Sequence, residues 1–148
     1  MFEHILSYKQ SPDNSDQRLI ATCSRAHRGI AILTYLINGK VEHLDSIGNH
    51  EMLTSGGVHW TNAGKGIVYS ESITADPNVA SANVSIVRLW SNLPSIRKAE
   101  KPVYFSLKQR EIPKKELGDA GWIKIISGDY EKKVARIPCY SKEFLYHG

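Results

Sequence analysis

Short apolar runs separated by turn residues fill the first two thirds of this chain. "RLIATC" (18–23), "IAILTYLI" (30–37), "KVEHLDS" (40–46), "HEMLTS" (50–55), "VHWTN" (58–62), "IVYSESIT" (67–74) and "VSIVRLW" (84–90) are all of strand length. Most are rich in β-branched or aromatic residues, which fit a pleated, half-buried surface. No segment longer than about ten residues carries an apolar stripe at the helical period. Reversal signals lie between the runs. Asn38-Gly39 favours the type I′ turn that matches strand twist. Gly48-Asn49, Gly56-Gly57 and Ala63-Gly64-Lys65-Gly66 make three more. Reversals at roughly ten-residue spacing predict an all-β fold, an antiparallel β-sandwich or small barrel. "IAILTYLI" has no polar alternation, which predicts a central strand covered on both faces.

After Trp90 the texture changes. "SNLPSIRKAEKPVYFSLKQREIPKKELGDAG" contains three prolines and a basic cluster. It reads as an extended connector with one short strand at "VYFSL". "GWIKIISG" (121–128) and "KVARIPCYSKEFLYH" (133–147) read as strands again. The chain therefore divides into a β core at 1–96, a basic connector at 97–120 and C-terminal strands at 121–148. Those last strands are too few to close a second sandwich. They either cross the first domain or reach into a second copy. An open apolar edge is a template for pairing, so a homodimer through the C-terminal strands is expected.

Composition narrows the class. An apolar content of 41% and a charged content of 23% over 148 residues describe a globular chain with one real core. No apolar run approaches the roughly 20 residues of a membrane span. "MFEHILSYKQ" lacks the basic and apolar regions of a secretion signal. Cys23 and Cys139 have no zinc-site spacing and read as reduced thiols. A cytoplasmic protein with no membrane partner is expected. The net charge of +4 is local: residues 97–115 hold 7 basic and 2 acidic side chains, while residues 1–96 hold 7 and 8. A nucleic-acid binder should show a broad basic face with aromatics for stacking, so Arg97 to Lys115 reads as a solvated stretch.

The chemistry sits in "AHRGIAILTYLINGKVEHLDSIGN" and "GGVHWTNAGKGIVYSE". In order and content these resemble the first cupin domain of the pirin family. That family shows a His-x-His-Arg-Gly stretch, a Thr-Tyr strand, a His-x-Asp-Ser-x-Gly-Asn reversal and a Trp-x-x-Ala-Gly-x-Gly-Ile-x-His-Ser-Glu segment. "RLWSNLP" and "IKIISG" extend the resemblance over roughly residues 18 to 137. It implies a cupin-type barrel, with 121–148 similar to the opening strands of a second cupin domain. It also implies one iron, held by the two histidines of the first motif and the histidine and glutamate of the last. Some pirins oxidise flavonols such as quercetin, and others act as transcriptional cofactors or bind enzymes.

Carried over residue by residue, the ligand positions are altered. The first histidine is Arg25, and the second is retained as His27. The third is Tyr69, and the glutamate is retained as Glu71. The wider cupin pattern places a glutamate four residues beyond the second histidine, where this chain has Ala31. An arginine stays protonated in proteins, so at a ligand position it repels a metal. At about 4 Å two unit charges cost on the order of 4 kcal/mol at an effective dielectric near 20. Arg25 is therefore expected to pair with Glu71, with the Tyr69 hydroxyl joining the same network.

The expectation is a pirin-like cupin with an eroded metal site, no cofactor and no catalysis. It would act as a binding or regulatory protein for a protein partner or a small molecule. The alternative is an iron- or other metal-dependent dioxygenase of quercetinase type. It would use His27, Glu71 and a recruited His59, which stands where pirins usually have glutamine. His43 also lies on a predicted strand.

Overall fold

The computed structural model describes residues 5–9, 24–75, 83–140 and 143–148. The run at 18–23, read above as a strand, lies outside them, as does Cys23. The rest of the strand pattern forms a barrel of two antiparallel sheets. One sheet has β1 (Ile5–Lys9), β8 (Asn83–Asn92), β3 (Ile30–Asn38), β6 (Val58–Asn62) and β9 (Val103–Leu107), in the order β1-β8-β3-β6-β9. The other has β2 (Arg25–His27), β7 (Ile67–Thr74), β4 (Lys40–Asp45) and β5 (His50–Thr54), in the order β2-β7-β4-β5. β1 is an edge strand that the sequence pattern did not single out. β9 is the short strand "VYFSL" of the basic stretch, and it forms the opposite edge.

Register decides which side chains enter the barrel. On β3 and β8, Leu36 faces Ile86, Thr34 faces Arg88 and Ile32 faces Trp90. On β6 and β9, His59 and Thr61 join the same face through their pairings with Thr34 and Ile32. Tyr104 follows as the partner of Thr61. From the second sheet, His43 lies opposite Glu71, and Val41 opposite Ile73. Leu36, Val41, Leu53 and Ile73 close one end of this interior as an apolar plug. Ile32, Ala63, Ile67 and Tyr69 pack toward the other end.

The predicted turns occur where the glycines stand. The close approach at Gly64 explains one of them. Its φ is +44°, and a Cβ there would lie 2.2 Å from the Glu100 carbonyl oxygen. Its amide is held by the Asn62 side chain at 2.8 Å. Lys65 donates to that same Glu100 carbonyl, which fastens the post-β8 segment over the barrel end.

The central strand is covered on both sides, as its unbroken apolarity predicted. Ala31, Leu33 and Tyr35 point away from the barrel with Val58 and Trp60. The C-terminal segment covers them. β10 (Lys114–Glu116), β11 (Trp122–Ser127) and β14 (Leu145–His147) form a small sheet, and β12 (Asp129–Tyr130) pairs with β13 (Lys133–Val134). Ile112, Ile126 and Ile137 are buried against Leu33, Tyr35 and Trp60. Within this chain these strands pack across the first domain. The run at 133–147 is less regular than its composition suggested. Pro138 has no backbone N–H to give a ladder, and Ile137 is buried without one. No helix among the described residues is long and apolar enough to cross a membrane.

Replacing Ile126 by alanine should cost about 2–5 kcal/mol, because the tail then loses a buried anchor in the outer layer. Urea unfolding of the variant against the parent measures this. An unchanged midpoint would mean that the tail does not pack on its own barrel.

Candidate functional site

The polar side chains that enter the barrel meet near its middle. Glu71 sits on β7, where positions 67, 69, 71 and 73 face inward by the strand's two-residue period. A buried carboxylate needs a compensating charge or hydrogen bonds. Arg88, from the opposite sheet, supplies both. Its Nη2 donates to Glu71 Oε2, and its Nε donates to Thr34 Oγ1 at 3.2 Å. Both ends of the ion pair are about nine-tenths buried.

His43 fills the space beside this pair. Its Nδ1 lies 3.5 Å from Glu71 Oε1, and its Nε2 lies 3.3 Å from Asp45 Oδ2. Asp45 is itself held by the reversal that follows β4. Ile47 and Asn49 each donate a backbone N–H to Oδ1 at 3.0 Å, and the Asn49 amide donates to Oδ2 at 2.7 Å. The His-x-Asp-Ser-x-Gly-Asn-like turn therefore orients an imidazole inside the barrel. Rings cover both sides of His43. Tyr104 stacks at 4.4 Å between centroids and Tyr69 at 5.5 Å, while His59 meets it edge-on at 5.4 Å.

Protonation follows burial. Burial is the main cause that pushes the His59 pKa down to about 3, so its imidazole is neutral. Burial would raise Glu71, but the contact with His43 and the Arg88 charge outweigh it and hold the carboxyl below its usual range. Asp45 is held low in the same way, by Asn49, His43 and Ile47 against the effect of burial. Burial and the Glu71 charge push the Tyr69 phenol up, so it stays protonated.

Several sequence expectations change. Arg25 is exposed, and the arginine that pairs with Glu71 is Arg88. Arg25 does pair across strands with Tyr69, but its side chain does not fill the interior. The Tyr69 hydroxyl joins no network and is buried without a partner. Ala31 lies on the outer face of β3, among Leu33, Tyr35 and Trp60, so it does not enter the barrel interior and instead lines a pocket outside it. His27 stands toward the barrel mouth, stacked on Tyr69 at 5.4 Å and tilted against Trp90 at 6.4 Å. His59 does point inward and is 2% exposed. Sequence reasoning missed Arg88 and Tyr104. The available signal was a lone arginine in "VSIVRLW", in step with the inward Val84, Ile86 and Trp90.

The resemblance implies a metal, and the donor set can be tested against one. The inherited positions do not fit: Arg25 is an exposed cation, and Tyr69 offers a protonated phenol. A displaced set does fit. Ligand atoms of His43, His59 and Glu71 all lie within 4.8 Å of one another. Both His59 ring nitrogens and His43 Nδ1 are buried without a hydrogen-bond partner among the described residues. Two imidazoles and a carboxylate suit divalent zinc, iron, nickel or cobalt.

The basic stretch forms a second feature. Lys108, Arg110, Lys114 and Lys124 line an open cleft of about 650 Å³ outside the barrel, with Trp122 in its wall. Lys114 and Lys124 each lie over the Trp122 ring. Burial and the Lys114 charge pull the Lys124 pKa down.

The neutral, buried His59 gives stability a pH dependence of known sign. Its folded pKa lies below the ordinary 6.5, so its contribution is complete above about 6.5 and is lost as the pH falls toward 3. The loss should reach up to about 1.4 kcal/mol per pH unit for this one group. His27 and His147, also lowered by burial, act in the same direction. Asp45 and Glu71 add their loss only at lower pH, where carboxyls protonate. Urea midpoints of chelator-treated protein between pH 7 and 5 should therefore fall more steeply for the parent than for His59→Gln. Equal slopes would rule out a buried neutral His59.

Comparison with known proteins agrees with the motif order and the barrel. The family model described as Pirin matches residues 1–91. A pirin-like protein of Arabidopsis thaliana is 32% identical over 111 residues, covering 75% of this chain and 35% of that protein. The crystal structure of a quercetin 2,3-dioxygenase from Acinetobacter baumannii superposes with a TM-score of 0.78 at 28% identity, over 95% of this chain and 48% of that one. The bacterial pirin YhhW of Escherichia coli, solved in complex with nickel(II), has a TM-score of 0.51 at 23% identity, over 70% of this chain and 48% of that one. That last likeness is one of fold alone. The chain spans 35–40% of the length of the first curated relatives it matches. With the motifs in family order, a two-sheet cupin barrel and a family match over most of that barrel, this chain belongs to the pirin family.

Proposed function

We propose that this chain is a pirin-family binding protein that does not oxygenate a substrate inside its barrel. The observation that carries the reading is the pairing of Arg88 with Glu71, the family's carboxylate ligand. A guanidinium there opposes a metal at the inherited position. The rings support the same reading. An oxygenase metal needs open coordination positions for substrate and dioxygen. In this barrel Tyr69 and Tyr104 lie against both sides of His43, and the inherited imidazole positions hold Arg25 and Tyr69. The exposed cleft around Trp122, with its four basic side chains, offers a place for an acidic partner or an anionic small molecule.

A second reading is a metal-dependent dioxygenase of quercetinase type. The convergence of His43, His59 and Glu71 favours it, as does the likeness to a quercetin 2,3-dioxygenase. In this version His43 takes the place expected for His27. The imidazoles and the carboxylate would hold the metal, and the metal would supply activation of dioxygen and substrate.

Oxygen consumption separates the two. Protein incubated with iron(II), nickel(II) or manganese(II) and then quercetin should consume oxygen no faster than protein-free controls. Quercetin-dependent uptake that disappears in Glu71→Gln would establish the dioxygenase instead.

A further inference from the structure

The strongest unexplained feature is a cluster of buried nitrogen atoms with nothing to bond. His59 is 2% exposed, yet neither ring nitrogen has a hydrogen-bond partner among the described residues. Leaving such a group dry and unpaired is costly, so a bare barrel is an incomplete account of it. Its neighbours are chemically matched. His43 Nδ1 is also unpartnered, and Glu71 Oε1 faces it at 3.5 Å.

The outer contacts are arranged as a metal site requires. A ligating imidazole normally gives its second nitrogen to a carboxylate, which fixes the tautomer and turns the other lone pair inward. Asp45 stands in that relation to His43 Nε2, and its own oxygens are fixed by Asn49 and Ile47. Arg88 occupies Glu71 Oε2 and leaves Oε1 on the side of His43. The carboxylate thus has one oxygen for the guanidinium and one for another cation. His27 is not among the converging ligand atoms and stacks on the Tyr69 ring.

We propose that His43, His59 and Glu71 form a three-ligand site for a divalent transition-metal ion, displaced from the inherited family positions, and that Arg88 competes with the ion for Glu71. The ligands are mostly buried, and Tyr69 and Tyr104 stack on His43, so the role assigned to the ion is structural. The inference goes beyond the binding reading above and stands whether or not quercetin is oxidised.

Titration of the full, chelator-stripped chain with cobalt(II) and with zinc(II) tests it. The parent should take up one ion per chain, and cobalt should develop a visible d–d band. His59→Gln keeps the approximate size and removes the imidazole. It should lose at least about tenfold in affinity and should lose the band, while circular dichroism shows the same fold. His27→Gln should bind within about twofold of the parent. Arg88→Gln should bind zinc about tenfold more tightly, the equivalent of about 1.4 kcal/mol, because the competing charge is gone. No uptake by the parent, or unchanged binding by His59→Gln, would overturn the site. Loss of binding in His27→Gln would return the ion to the inherited position. Equal affinity in Arg88→Gln would overturn the competition. The unbranched His27→Gln and His59→Gln pair keeps the test decisive if Arg88→Gln fails to fold.

Discussion

The barrel interior is organised around the buried charge of Glu71. Glu71 comes from one sheet, and its cation, Arg88, comes from the other. Neither charge is tolerable in that environment without the other, since an unpaired buried ion costs several kcal/mol. The pair therefore constrains how the sheets close. Thr34 must lie beside Arg88 to take its second donor, and His43 must lie opposite Glu71 on β4. The aromatic rings then fill what space remains. A buried ion pair is weak evidence of stability in itself, because an apolar pair of similar volume often does as well.

This changes what membership of the family means for the chain. The carboxylate survives, but its surroundings have been rebuilt. The strand position that carries an imidazole in the family motif carries a phenol, and an imidazole has entered from β6 instead. A shared scaffold does not fix the chemistry performed on it. What distinguishes one cupin from another here is the register position at which each polar group enters, together with the charge beside it.

Much of this was legible in the sequence. Glycine and asparagine marked the reversals, and β-branched runs marked the strands between them. The altered ligand positions at Arg25 and Tyr69 could be read directly from the motifs. Direction was harder to read. "IAILTYLI" is apolar on both faces, so its composition does not say which way Ala31 points. Only the pairing of β3 with β6 and β8 places Ala31 outward and Thr34 inward. Arg88 was hidden for a related reason. A single charge in an apolar strand shows that a partner exists, but the partner lies 17 residues away on another sheet. Arg25, standing at a ligand position of the family motif, was the candidate that the motif suggested, and the motif position was misleading.

The outer layer has a consequence for how the chain reaches its native state. Asn62 bonds to Tyr140 across 78 positions, and Tyr35 to His147 across 112. Such distant contacts close large loops before they return any favourable energy, which slows folding. During synthesis, Leu33, Tyr35 and Trp60 are made long before the segment that shields them. Until residues near 147 arrive, that face is an apolar sheet surface exposed to solvent. The nascent barrel is then a natural client for chaperones and a point of vulnerability to aggregation.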